Sequence, residues 1–210
     1  MKYQFPMFVW AVWQKMMSLL LRPFGIVKSY LLCMAYGVKC MRPLPRFIGR
    51  IILRTRKIGE ITIGRGVLFD ASVEHNLVGL PNPTILDTRH GGFIVIGDDS
   101  GFSSVIMSSK AGIKIGERVK CGGNVRIFDH DFYSLSSETR TNPIQDQENV
   151  CSRPISIGDD VFIGTNAIIL KGTTIGARSI IAAGSVVFGL SIPSDSMVKG
   201  NPAKIIRRAE

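Results

Sequence analysis

Six aliphatic residues, Ile157, Ile163, Ile169, Ile175, Ile181 and Val187, stand at an unbroken spacing of six along the second half of the chain. The residue after each is usually small (Gly158, Gly164, Gly176, Ala182). Four places after each comes a small or β-branched residue: Val161, Ala167, Thr173, Ser179, Ser185, Ser191. An α-helix repeats near 3.6 and a strand near 2, so neither alone produces this pattern. A period of six with Gly at a fixed phase predicts a short strand, a sharp turn and another short strand. The aliphatic residue points inward and stacks on its counterpart one coil away. Three steps close a triangular coil, and coils stack into a solenoid, a parallel β-helix.

The pattern extends toward the N-terminus with interruptions. Ile115-Gly116, Cys121-Gly122 and Ile127 keep the period; Ile96-Gly97, Phe102 and Ser108 form another set; Ile63-Gly64 and Phe69-Asp70 begin the series. Two stretches break it, roughly 74–94 and 128–154, and such excursions from a solenoid corner often carry function. The expected fold class is all-β, in three parts. Residues 1–57 form a helical extension, with one or two helices between Met7 and Tyr36 and a break at Arg42-Pro43-Leu44-Pro45-Arg46. Residues 58–192 form the β-helix. Residues 193–210 form a turn and a short capping helix over Lys204 to Arg208, with Pro202 in its first turn.

Charge divides the chain unevenly. The net charge is +10, yet residues 1–57 hold eleven Lys/Arg and the first acid is Glu60. The remainder carries 26 − 11 = 15 basic residues against 16 acidic ones, so the basic character belongs to the extension. That segment also holds Trp10, Trp13 and several Leu, the composition of an interfacial membrane helix. A helical appendage packed on the domain or on another subunit is the alternative. A nucleic-acid partner is not expected, since no base-reading motif accompanies the charge. Lys15, Arg22 and Lys28 interrupt every window long enough to span a bilayer, and no small-residue cleavage site follows the first apolar run. The four cysteines, Cys33, Cys40, Cys121 and Cys151, show neither metal spacing nor disulfide density, which reads as a reducing, cytoplasmic setting, with the inner membrane face open to the basic segment.

The run from Ile155 through ISIGDDVFIGTNAIILKGTTIGARSIIAAGSVV, with the closing GNPAKIIR, resembles the hexapeptide-repeat acyltransferases. Within them it is similar to maltose and galactoside O-acetyltransferases and to acetyltransferases of capsule and lipopolysaccharide assembly. The resemblance implies a left-handed coil, against the usual right-handed crossover. It also implies a homotrimer with sites between subunits, and transfer of acetyl from acetyl-coenzyme A (acetyl-CoA) to a sugar or glycan hydroxyl in surface polysaccharide biosynthesis. Transfer to an amine, on an amino sugar or amino acid, and a non-catalytic scaffold remain open beside it.

Acetyl transfer to a hydroxyl needs a general base with a pKa near neutrality. The chain has three histidines, His75, His90 and His130. His130 lies in Ile127-Phe128-Asp129-His130-Asp131-Phe132, where the chain leaves the solenoid, and either Asp129 or Asp131 could orient its ring. The residues alone leave open a surface histidine between solvated acids; the resemblance favours the base. His90, in Arg89-His90-Gly91-Gly92, reads as a turn residue, and His75 has no evident role. Intervals of 15 and 40 residues between the histidines speak against a zinc site, so no metal is expected. Cys121 occupies an inward phase, and Cys151 has no histidine beside it in sequence, so neither suggests a nucleophile. By resemblance, Thr165 and Ala183 match contacts to the pantetheine arm of coenzyme A, and Lys204 and Arg207 match residues that meet its phosphates. Phe188-Gly189-Leu190 departs from the small polar residue and Lys common at that place in relatives. Asn124 is a candidate acceptor contact, with an inter-coil turn residue as its alternative.

Overall fold

A computed structural model describes residues 27–73, 76, 78 and 82–208 of the chain. Its strands come in threes. The first coil holds β1 (Lys39–Cys40), β2 (Arg46–Gly49) and β3 (Ile51–Arg54); the second β4 (Ile61–Ile63), β5 (Leu68–Ala71) and β6 (Thr84–Asp87). The third holds β7 (Ile94–Ile96), β8 (Gly101–Ser103) and β9 (Ile106–Ser108); the fourth β10 (Ile113–Ile115), β11 (Lys120–Cys121) and β12 (Arg126–Phe128). The fifth holds β13 (Ile155–Ile157), β14 (Phe162–Ile163) and β15 (Ile168–Leu170); the sixth β16 (Thr174–Ile175), β17 (Ile180–Ile181) and β18 (Val186–Phe188). β19 (Ser191–Ile192) and β20 (Ser196–Gly200) begin a seventh, and β21 (Ala203–Arg208) ends the described chain.

Every first strand of a coil pairs in sheet A, every second in sheet B, every third in sheet C, all parallel, and the whole is a left-handed β-helix. The six-residue column is the interior. Sheet A aligns Ile63, Ile96, Ile115, Ile157, Ile175 and Ile192; sheet B aligns Phe47, Phe69, Phe102, Cys121, Ile163, Ile181 and Val198. Sheet C aligns Leu53, Leu86, Met107, Ile127, Ile169 and Val187. All of them are buried. Each aliphatic side chain so buried contributes about 1.5–3 kcal/mol, and it does so by packing on its own kind above and below. Small polar residues fill the narrow corners: Ser179 and Thr173 are buried, and their hydroxyls donate to the carbonyls of Pro193 and Leu170.

Four expectations need correction. The solenoid begins near Lys39 rather than at 58, because Phe47 and Leu53, themselves six apart, are inward residues of the first coil. Within the stretch 74–94, β6 is a regular strand of sheet C carrying Leu86 inward. Met107, not Ser108, occupies the inward place, because the corner through Ser104 (φ 51°) is one residue short. The expected capping helix at Lys204 to Arg208 is the strand β21, antiparallel to β20. An exposed edge on β20 demands pairing, and the adjacent β-branched Ile205 and Ile206 suit a strand.

At the N-terminal end, α1 (described over 27–35) lies across the first coil. The Ser29 hydroxyl accepts from the Phe47 amide, the Lys28 amine donates to the Gly49 carbonyl, and the Val38 amide donates to the Cys33 carbonyl. The expected helix between Met7 and residue 26 lies outside the described residues, as does His75. The excursion 129–154 leaves sheet C at the end of β12 and returns to sheet A at β13. It holds α2 (Ser137–Arg140) and α3 (Pro143–Glu148), whose N-terminus is capped by Asn142. The buried Asp146 carboxylate accepts from the Ser134 amide, which folds the loop back on itself.

Candidate active site

The corner where sheet C hands over to sheet A carries the histidine chemistry. Asp129, fully buried, takes the corner position after β12. Its carboxylate accepts from the Ser109 hydroxyl (2.8 Å) and from the successive backbone amides of Lys110 (2.7 Å), Ala111 (2.9 Å) and Gly112 (2.5 Å), one coil earlier. Three amides aimed at one carboxylate make an anion nest. Gly112 is required there: its φ is +150°, and a Cβ would fall 2.6 Å from the Phe93 ring. Burial by itself would raise the Asp129 pKa, but the bonds from His130 and from this nest outweigh it and hold the carboxyl below its ordinary value.

Nδ1 of His130 lies 3.0 Å from Asp129 Oδ1. An ionised Asp129 accepts from Nδ1–H, which leaves the lone pair on Nε2. That Nε2 is buried and has no hydrogen-bond partner among the described residues. A buried imidazole nitrogen without a partner is an acceptor held ready for a proton from something else. The stems of the excursion hold the ring in place: the Arg153 amide donates to the Asp129 carbonyl, and the Asp131 amide donates to the Cys151 carbonyl.

Of the two acids proposed to orient His130, only Asp129 does so. Asp131 faces away and pairs with the buried amine of Lys171, a residue the sequence reading passed over. The Lys171 amine also lies 5.5 Å from the Phe188 ring centroid, so Phe188, Lys171 and Asp131 line one side of the corner. His90 stands in a turn as expected, closed by the Gly91 amide donating to the Thr88 carbonyl, and that turn brings it to His130. Its ring centroid is 5.0 Å from that of His130, and burial, followed by the charge His130 can carry, lowers its pKa. The interval of 40 residues between them had spoken against a pair; the stacking of coils supplies it, since Asp87 at the end of β6 and Phe128 at the end of β12 sit in one column with Ser108 between. Among the described residues no group of three or more His, Cys, Asp or Glu gathers at metal-binding distance. Cys121 is buried, and burial pushes its thiol pKa well up.

Beside His130 opens a hollow of about 460 Å³, lined by Phe128, Phe132, Tyr133, Leu135, Leu170 and Asp131. The Phe132 ring packs 4.9 Å from His130. A larger hollow, about 640 Å³, lies on the outer face of sheet B between Arg46 and Phe162 and is lined by no histidine, whereas the smaller one adjoins His130.

Of the other candidate residues, Thr165, Ala183 and Asn124 stand at a different corner, and β21 carries Lys204 and then Arg207 back from it along sheet B. Thr165 and Ala183 stand one above the other where sheet B hands over to sheet C, and the Gly184 amide donates to the Thr165 carbonyl. Lys204 is exposed on β21 opposite Lys199, and the Arg207 backbone pairs opposite Met197. Asn124 belongs to this corner too. Its φ is 59°, its carbonyl oxygen accepts from Asn82 and its amide donates to Asn166, each at 2.8 Å, so it serves the inter-coil turn at the far end of β12 from His130.

The comparisons with known proteins agree with the coil. The family model for the hexapeptide repeat of succinyl-transferase matches residues 154–188. A Mycobacterium tuberculosis protein named a probable acetyltransferase is 32% identical over 122 residues, 58% of this chain and 37% of its own length. The chain spans less than half the length of the curated relatives it matches. A hexapeptide-repeat acetyltransferase of Vibrio cholerae, solved with acetyl-CoA, is 37% identical with a TM-score of 0.51, over 59% of this chain and 64% of that one. An N-acyltransferase of Bacillus cereus, solved with dTDP and coenzyme A, shares the fold at 20% identity, TM-score 0.64, over 86% of this chain and 88% of that one. With these matches beside the stacked six-residue columns and the histidine at the excursion, residues 154–188 carry the hexapeptide repeat and the chain is similar to hexapeptide-repeat acetyltransferases over somewhat more than half of its length.

Proposed function

We propose that this protein transfers an acetyl group from acetyl-CoA to a hydroxyl of a sugar or glycan, with His130 as general base. The observation that carries this reading is the buried, partnerless Nε2 of His130, backed by an ionised Asp129 on Nδ1. In the reaction, Nε2 takes the proton of the acceptor hydroxyl as its oxygen bonds to the thioester carbonyl carbon. The carbon–sulfur bond then breaks, and the imidazolium returns the proton to the departing thiolate. Asp129 stays ionised and stabilises the transient imidazolium. The rings of Phe132 and Tyr133 give the C–H face of a sugar an apolar surface beside the base.

The donor is assigned to the sheet B–sheet C corner, with Thr165 and Ala183 along the pantetheine arm and Lys204 and Arg207 at the phosphates. Within one chain the three-residue strands of sheet C, about 10 Å long, separate that corner from His130. This separation supports a homotrimer in which a neighbouring subunit brings its donor corner to the histidine. An amine acceptor would use the same base. Mild hydroxylamine distinguishes the products, since it cleaves an acetyl ester and leaves an amide.

The test needs no knowledge of the acceptor. Acetyl-CoA at about 100 times its dissociation constant stabilises the folded protein by roughly 2.7 kcal/mol, a shift in Tm of about 5–10 °C for a chain of this size. The expected result is that shift, reduced by Lys204→Ala/Arg207→Ala and absent with AMP. No shift at millimolar acetyl-CoA would overturn the reading in favour of a non-catalytic scaffold.

A further inference from the structure

The helix that closes the N-terminal end of the solenoid is apolar on its outer side. Ser29 and Cys33 face the first coil and are buried. Val27, Tyr30, Leu31 and Met34, at helical positions i, i+3, i+4 and i+7, point away from it and are 55%, 50%, 58% and 63% exposed. They form one stripe about 100° wide, the face a soluble helix normally turns inward. The stripe continues without a break: Met34 and Tyr36 line a hollow together with Ile58, which is 84% exposed, and with Arg56 and Lys57.

Cations surround this apolar end face. Lys39, Arg42, Arg50, Arg56 and Lys57 are exposed, and none of them is in an ion pair among the described residues. The one acid between residues 27 and 60 is Glu60, and its carboxylate already accepts from the Arg56 amide and the Thr88 hydroxyl. An apolar centre inside a one-sign rim has a definite complement. A second copy docked through the same face would set these cations against themselves, at a like-charge cost. An anionic bilayer offers apolar depth for the stripe and negative headgroups for the rim.

We propose that α1 and the first coil form a docking face for anionic phospholipid membrane, so that the solenoid meets the membrane end-on. In the trimer proposed above, cyclic symmetry turns three such faces the same way, and their binding compounds through effective concentration. This inference stands apart from the acetyl-transfer chemistry, since Arg56 to Ile58 share the sheet C–sheet A corner with His130 but lie three coils before it; it concerns where the reaction takes place. No described helix is long and apolar enough to cross a membrane, and the contact is interfacial.

The test is co-flotation of the full chain with vesicles of phosphatidylcholine containing about one-third phosphatidylglycerol, against vesicles of phosphatidylcholine alone. Tm and the mass in solution are read on the same samples. The wild type is expected to float with the anionic vesicles and not with the neutral ones. Leu31→Glu/Met34→Glu and Arg56→Glu/Lys57→Glu are each expected to cut the bound fraction about tenfold or more, with Tm and mass unchanged. Wild-type protein that fails to float, that floats equally on neutral vesicles, or whose variants float equally well overturns the proposal. So does a fall in Tm or a change in mass in the Leu31→Glu/Met34→Glu variant, which would show the stripe covered by the protein's own chain or by another copy.

Discussion

At the scale of the residue, Asp129 and His130 act as a unit whose parts have separable consequences. His130 donates to Asp129 and presents Nε2 outward, so His130→Gln removes the base while keeping a polar side chain of similar reach. The expected outcome is a loss of acetyl transfer of about 10²–10⁴-fold with little change in Tm. Asp129→Asn does more, because the carboxylate is buried and serves five donors. It removes the charge that orients His130 and sets an amide N–H against the amides of the nest, at a cost of about 1–3 kcal/mol. The pH dependence separates the two effects. The folded Asp129 pKa is below its ordinary value of 3.8, so the folded state binds this proton less readily than the unfolded chain. Its stabilisation is therefore fully present above about pH 4 and fades as pH falls through the folded value. Thermal unfolding between pH 5 and pH 3 should show wild type converging on Asp129→Asn. Parallel curves would assign the acid sensitivity to other carboxylates.

At the scale of the element, close stacking of coils sets which glycines tolerate a side chain. Gly176 has an ordinary φ, yet a Cβ there falls 2.3 Å from the backbone nitrogen of Ser194 in the next coil. Gly184 has φ +70° and nothing within 4 Å of its Cβ. Gly176→Ala must therefore push two coils apart, a destabilisation of about 1–3 kcal/mol or a Tm lower by roughly 3–10 °C. Gly184→Ala meets only its own backbone strain, about 1 kcal/mol. The order of the two midpoints checks the spacing. β21 illustrates the same economy of edges. Read locally, Lys204 to Arg208 with Pro202 ahead of it suggests a helix start. The edge of β20 overrides that preference, and nothing within those residues announces the partner strand.

At the scale of the whole molecule, the two candidate half-sites lie on different edges of a three-sided prism. Two consequences follow if neighbouring subunits complete each other. The mass in solution by light scattering should be three times the 23.1 kDa of one chain. Co-expression of a His130→Gln chain with a Lys204→Glu/Arg207→Glu chain should restore transfer that each lacks alone, because mixed trimers contain one groove with both intact halves. Absence of complementation would place donor and base in the same chain.

The sequence by itself determined the coil, because each inward position must be apolar and each corner small, and both demands repeat every six residues within one strand-turn unit. That local repetition made Ile157 to Val187 legible, and it marked the excursion at 128–154 as the place where His130 leaves the scaffold. It also held the earlier start of the solenoid, in Phe47 and Leu53, a signal too short to stand out. Tertiary structure decided what depends on residues one or more coils apart. Only the vertical register sets the Lys110–Gly112 amides around Asp129 and so chooses it over Asp131, which Lys171 claims from the next coil. Only that register brings His90 beside His130 across 40 residues, and carries Asn124 to the opposite corner. The excursion separates Asp131 from Lys171 and Asn124 from Asn166, while one regular coil separates Asp129 from the Lys110–Gly112 amides and two separate His90 from His130, so no spacing within a single strand-turn unit records these contacts; the stacking of hydrogen-bonded strands does.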